Sequence, residues 1–137
     1  MEDILIKYDR VQLNRAENII LKDINIEVNR GDFVYVIGKV GSGKSTFMKS
    51  LYAEIPVESC DASVFNYHIQ DIKRKEVPYL RRKIGIVFQD FQLLIDRTVE
   101  KNLEFVLRAT GWKSKIDIKN RVEEVLVQVG MKNKTYK

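Results

Sequence analysis

Gly38-Lys39-Val40-Gly41-Ser42-Gly43-Lys44-Ser45-Thr46 is the stretch on which the reading of this chain turns. It has the form G-x-x-x-x-G-K-S, the spacing of a loop that cradles phosphate groups. The glycines let the backbone turn tightly and bring its N–H groups close to phosphate oxygens. Lys44 places a compact positive charge on the β- and γ-phosphates of a nucleotide, and the Ser45 hydroxyl is a ligand for the accompanying Mg²⁺. The nine residues from Gly38 to Thr46 are therefore the candidate nucleotide-binding set. The flanks agree with that reading. Phe33-Val34-Tyr35-Val36-Ile37 is apolar and rich in β-branched and aromatic residues, which predicts a strand. Phe47, Met48, Leu51, Tyr52 and Ile55 follow at helical spacing, predicting a helix with one buried face, closed by Pro56.

Composition sets the outer bounds. A chain of 137 residues with 45% hydrophobic and 31% charged side chains is expected to form a soluble domain with a real core. No apolar run reaches membrane-spanning length and the N-terminus has no signal-peptide pattern, so a cytoplasmic location is expected. Cys60 is the one cysteine, which leaves no intrachain disulfide and no metal-ligand spacing. His68, the one histidine, is expected to be structural or exposed.

The net charge of +5 has a definite address: Lys73, Arg74, Lys75, Arg81, Arg82 and Lys83 stand against the single acid Glu76 within residues 73–83. The stretch lacks the interleaved aromatics of a single-strand nucleic-acid binder, so no nucleic-acid partner is expected. A solvated face is its first reading and contact with an anionic membrane surface its second.

Outward from the loop, residues 3–8 predict a first strand and 10–18 a polar irregular segment. Residues 20–29 alternate from Ile24 onward, as a half-buried strand does, and 62–69 allow another. Pro78 suits the start of a short helix ending near Lys83, and Ile84-Gly85-Ile86-Val87-Phe88 predicts a buried strand. Thr98 predicts an N-cap for a helix with the apolar face Val99, Leu103, Val106 and Leu107. Ser114 and Asp117 form a capping pattern before a helix carrying Ile118, Val122, Val125, Leu126 and Val129, which stops at Gly130. Trp112, after Gly111, is expected to pack rather than to bind a ligand.

The early strands, the loop helix and the run Arg81-Arg82-Lys83-Ile84-Gly85-Ile86-Val87-Phe88-Gln89 together resemble the nucleotide-binding subunit of ABC transporters. The stretch from Val87 to Leu94, with Asp96-Arg97-Thr98-Val99 behind it, resembles the FtsE-like cell-division branch of that family most, and lipoprotein and macrolide exporter ATPases next. The resemblance implies an α/β fold: a P-loop NTPase of the ABC ATPase type, with an N-terminal β-subdomain, the P-loop strand and helix, and the Q-loop region. It implies ATP and Mg²⁺ as ligands, with Gln89 as a Q-loop glutamine that completes the Mg²⁺ shell or holds a water near the γ-phosphate. It also implies a loop after Gln89 that faces a membrane partner of the FtsX or transporter-permease type. A homodimer and a peripheral position at the inner face of the cell membrane come with it. The family stacks an aromatic residue on adenine; residues 12–18 offer no aromatic, only Leu13 and an Arg15 guanidinium that can stack on a base.

The resemblance has a boundary. The family's Walker B strand ending in Asp-Glu, its Ser-Gly-Gly signature, its aspartate loop and its switch histidine are not found within residues 1–137. The chain is accordingly expected to be one partial nucleotide-binding domain over 1–137, the N-terminal part of an ABC ATPase, with no catalytic residue of its own assigned and no turnover alone. Two other readings stay open. One is a non-catalytic nucleotide-binding or regulatory module. The other is a small P-loop kinase, for which Arg81-Arg82 would have to serve as lid arginines. A GTPase is excluded at Asn133-Lys134-Thr135-Tyr136, where the base-recognition aspartate is missing.

Overall fold

The computed structural model describes residues 4–15, 18–57 and 61–132. Cys60 and the segment from Asn133 to Tyr136 lie outside the described residues, as does the side chain of Arg15. The chain divides into two compact units, Met1–Gly85 and Ile86–Lys137.

The first unit is built on an antiparallel sheet. Strand β1 (Ile4–Arg15) pairs with β2 (Asn18–Asn29) on one side and with β3 (Asp61–Val64) on the other. Strand β4 (Tyr67–His68) closes the order β2-β1-β3-β4. The predicted irregular segment after residue 10 is thus a correction: β1 continues to Arg15. The reason is a bulge. Arg10 takes φ of 51° where the register shifts between Tyr8 and Val11, and Asp23 of β2 takes 52° at a second shift, between Val11 and Leu13. One extra residue resets the alternation, so Tyr8, Val11 and Leu13 all reach the core although their spacing breaks a period of two. Asn25 holds the bulge: its Oδ1 accepts from the Arg10 N–H at 2.9 Å while its Nδ2 donates to the Asp23 carbonyl at 2.9 Å. The predicted strand over 62–69 is likewise shorter, because Phe65 at φ 52° turns the chain back into β4. A 3₁₀ turn over Ile69–Asp71 follows.

Helix α1 (Lys44–Leu51) packs on this sheet through Phe47 and Leu51. The rings of Tyr8 and Phe47 meet edge to face at 5.7 Å. Tyr8 donates its hydroxyl to Ser50 Oγ at 2.9 Å, and Ser50 passes its own proton to the Phe47 carbonyl at 2.6 Å. The buried polar pair is therefore satisfied, and burial pushes the Tyr8 phenol up to about 12. Helix α1 ends earlier than Pro56 requires. Ala53 enters the left-handed region at φ 55°, and the Glu54 N–H returns to the Lys49 carbonyl at 3.0 Å. Helix α2 (Val77–Arg81), with Pro78 in its first turn as predicted, buries Leu80 completely.

Two predicted strands form no ladder. Residues 33–37 and 84–88 are not hydrogen-bonded into the sheet, whose edges are β2 and β4. Phe33 and Tyr35 are each 80% exposed and Ile37 is 89% exposed. The sequence has strand character there, but a strand persists only with a neighbour to accept its backbone groups.

In the second unit α3 (Val99–Ala109) and α4 (Lys115–Gln128) pack together. Ile118, Val122 and Leu126 form its buried centre, covered by Val99, Leu103, Leu107 and Met131. Both predicted caps are present: Thr98 accepts from the Lys101 N–H and Ser114 from the Asp117 N–H, each at 3.3 Å. Val106 and Val129, predicted on the apolar faces, are exposed instead. Gly130 ends α4 at φ 70°. Among the described residues no helix is long and apolar enough to cross a membrane.

Candidate nucleotide-binding site

The loop from Gly38 to Thr46 closes on itself. Lys44 Nζ donates to the carbonyls of Gly38 and Lys39, both at 2.7 Å, and the Ser42 N–H returns to the Lys39 carbonyl at 3.1 Å. A ring of backbone is thus drawn around the lysine head group, which is set at the loop's mouth. Gly41 and Gly43 carry φ of 81° and 91°, the left-handed region that glycine enters without steric cost. At Gly38 space is the constraint: a Cβ there would meet Ser42 Oγ at 2.6 Å.

Gly43 does two things. It is the N-cap of α1, and a Cβ on it would lie 2.8 Å from Leu21 Cγ and 2.9 Å from Leu21 Cδ2. The loop can therefore approach β2 only where a side chain is missing. The helical ladder begins with the Phe47 N–H on the Gly43 carbonyl at 2.9 Å. The N–H groups of Lys44, Ser45 and Thr46 precede that ladder and face outward with the positive end of the helix dipole. Ser45 is exposed and Thr46 half-buried. The donors present are ammonium, backbone N–H and hydroxyl. Together with a mouth kept open by missing Cβ atoms, they fit a polyphosphate with its Mg²⁺.

Beside the loop runs an open groove of about 370 Å³. Leu21, Ile24 and Ile26 of β2 form one wall, residues 34–37 another, and Lys44 and Phe47 its end.

Gln89 lies in the second unit, exposed, in a turn where the Phe91 N–H returns to the Phe88 carbonyl at 3.1 Å. The loop behind it takes left-handed backbone at Phe91 (58°) and Gln92 (47°) and presents Phe91, Leu93 and Ile95 to solvent. The loop is then caught by a residue that the sequence reading passed over. Asn102 accepts from the Leu94 N–H at 2.8 Å and donates to the Leu94 carbonyl at 3.0 Å, with further contacts to the Arg97 and Thr98 carbonyls at 3.3 and 3.1 Å. Its signal was available: an asparagine inside a helix competes with the backbone and needs a local reason. His68 is exposed. Arg81 is committed elsewhere, donating to the Tyr52 and Ala53 carbonyls at the end of α1 at 3.0 and 3.3 Å. That use argues against a kinase lid.

The ABC transporter family model matches residues 21–137. The chain is 40% identical over 134 residues to the cell division ATP-binding protein FtsE of Streptococcus pneumoniae serotype 2 strain D39, covering 98% of this chain and 55% of that protein. It is 45% identical over 115 residues to FtsE of Mycobacterium tuberculosis strain H37Rv, covering 83% and 49%. Among solved structures it superposes on cbiO1 from Clostridium perfringens, part of the ABC transporter complex cbiONQ. That match has a TM-score of 0.85 and 29% identity, over 99% of this chain and 54% of that one. A dimeric ATP-binding cassette in a post-hydrolysis state with ADP and Pi gives a TM-score of 0.80 and 28% identity, over 96% and 61%. The chain thus spans about half the length of the relatives it matches. A glycine loop closed on Lys44, an antiparallel sheet beside it and a family match from residue 21 onward agree: the chain belongs to the ABC transporter ATP-binding family.

Proposed function

We propose that this chain is the N-terminal part of one nucleotide-binding domain of an FtsE-like ABC ATPase, binding ATP with Mg²⁺ at residues 38–46. The closed loop around Lys44 carries the reading. In it Lys44 exchanges its two carbonyl partners for phosphate oxygens, and the N–H groups of Gly41, Gly43, Lys44, Ser45 and Thr46 hold the remaining charge. The Ser45 hydroxyl is a Mg²⁺ ligand. Mg²⁺ neutralises charge on the phosphates when bound.

The same reading gives the chain no turnover alone. Phosphoryl transfer to water needs a positioned nucleophile besides held phosphates. Residues 1–137 contain neither an Asp-Glu pair nor a Ser-Gly-Gly run. The full-length protein acts as a homodimer at the inner face of the cell membrane, with an integral membrane partner of the FtsX or permease type. The exposed apolar side chains of Phe91, Leu93 and Ile95 behind Gln89 support such a partner.

Thermal-shift titration with Mg²⁺–ATP tests the reading. At 100 times the dissociation constant the site adds about 2.7 kcal/mol of stability, and Lys44→Ala removes the shift. A shift that survives Lys44→Ala overturns the binding assignment. Lys44-dependent phosphate release by the chain alone overturns the assignment of no turnover.

A further inference from the structure

The positive charge of this chain is gathered on one small, ordered piece of the first unit. Residues 73–83 are a turn, helix α2 and a second turn. They are tied by the Glu76 N–H on the Lys73 carbonyl at 2.7 Å, the Arg82 N–H on the Pro78 carbonyl at 3.1 Å and the Lys83 N–H on the Leu80 carbonyl at 2.9 Å. Leu80, fully buried, roots the segment in the core. The cations consequently stand on a fixed base. Lys73, Arg74, Lys75, Arg81, Arg82 and Lys83 are all exposed.

For Lys73, Arg74, Lys75 and Lys83 the local partners leave the charge uncompensated. Glu76, the acid within the segment, is occupied by the Lys73 backbone N–H at 2.9 Å. Among the described residues Lys73, Arg74, Lys75 and Lys83 enter no ion pair. Aromatic side chains hold three of the cations, the Arg81 guanidinium lying 5.9 Å from the Tyr52 ring. Lys83 Nζ lies 5.7 Å from the Phe65 ring and 5.8 Å from that of Tyr67, and the Arg82 guanidinium lies 5.2 Å from the ring of Tyr79. Tyr79 is itself 58% exposed, an amphipathic ring beside the cations. Outside the segment, positive and negative side chains are equal in number, so the segment accounts for the whole net charge of +5.

We infer that residues 73–83 form a docking surface for the anionic phospholipid headgroups of a bilayer. Basic side chains beside an interfacial aromatic suit a surface whose phosphates carry negative charge and whose boundary accepts an amphipathic ring. The segment offers no stacking row for nucleic-acid bases, because Tyr79 is the one aromatic residue within 73–83. The contact belongs to this chain directly and requires neither bound nucleotide nor a membrane partner.

Co-sedimentation of the full chain with vesicles, without nucleotide, tests it. The chain binds vesicles of phosphatidylglycerol mixed with phosphatidylcholine and not phosphatidylcholine alone, and added salt releases it. Each basic side chain is worth about fivefold, so Lys73→Gln/Arg74→Gln/Lys75→Gln weakens binding by about 100-fold. The single variants Arg74→Gln and Lys75→Gln weaken it by about fivefold each. Lys113→Gln/Lys115→Gln/Lys119→Gln removes the same net charge from the second unit and leaves most of the binding. Equal losses in the two triple variants overturn the assignment, as does equal binding to phosphatidylcholine alone. A patch variant that loses affinity for a short DNA duplex but keeps its vesicle binding overturns it too. Lys44→Ala leaves vesicle binding unchanged, so failure here is separable from failure of the nucleotide site.

Discussion

Gly43 presses against Leu21 so closely that the loop and β2 leave no room for a methyl group between them, with Leu21 Cγ 2.8 Å from where a Cβ would stand. The contact locks the start of α1 onto the sheet. Gly43→Ala therefore meets two obstacles, the overlap with Leu21 and a φ of 91°. It costs about 2 to 4 kcal/mol, read by denaturant melts, and abolishes the Mg²⁺–ATP thermal shift. Adding Leu21→Ala relieves the overlap, so the double variant loses less stability than the two single variants summed. A Gly43→Ala protein with unchanged stability contradicts the geometry.

Tyr8 and Ser50 form a buried hydroxyl pair beneath α1. The phenol is raised from 10.0 to about 12, chiefly by burial. The unfolded chain releases this proton first as pH rises, so the stability held by protonated Tyr8 is complete below pH 10 and lost between 10 and about 12. A shift of this size corresponds to roughly 3 kcal/mol. Tyr8→Phe removes that slope in melts over the alkaline range and costs about 1 kcal/mol at neutral pH through the lost hydrogen bond. An unchanged alkaline slope in the variant would place its origin elsewhere.

Asn102 clamps Leu94 through both its acceptor and its donor. Asn102→Ala leaves the Leu94 backbone without these partners and destabilises the second unit by about 1 to 3 kcal/mol. Amide exchange at Leu94 should accelerate in step. Asn102→Asp keeps the acceptor and so retains protection at the Leu94 N–H while losing the bonds to carbonyls. Slow exchange at Leu94 in Asn102→Ala would show that the clamp is not what holds the loop.

Phe33 and Tyr35 meet edge to face at 4.9 Å, both largely in water. An unpaired apolar segment is a template for pairing with another chain. Sedimentation should show concentration-dependent association of this chain, and Phe33→Glu/Tyr35→Lys should shift it toward monomer. A wild-type chain that is monomeric at every concentration refutes this.

The phosphate loop was legible because its glycines, lysine and serine are adjacent in sequence and their geometry is local. The same holds for the caps Thr98 and Ser114, whose partners lie three residues away. The bulge in β1 was not legible, since its evidence is Asn25 on the facing strand. For Asn102 the sequence signalled a local reason but not the partner, Leu94, which lies eight residues back in a loop without regular structure.

By itself the sequence determined the nucleotide loop, the family resemblance through Gln89 and the single address of the charge, because each is written in contiguous residues. Only the tertiary structure decided that residues 33–37 and 84–88, strands by composition, form no ladder. It alone showed that Gly43 is fixed by Leu21 and that Arg81 is committed to the end of α1. The physical reason is common to all three. Side-chain type sets which conformations are favourable, whereas ladders, close approaches and caps depend on which distant groups the fold brings within reach.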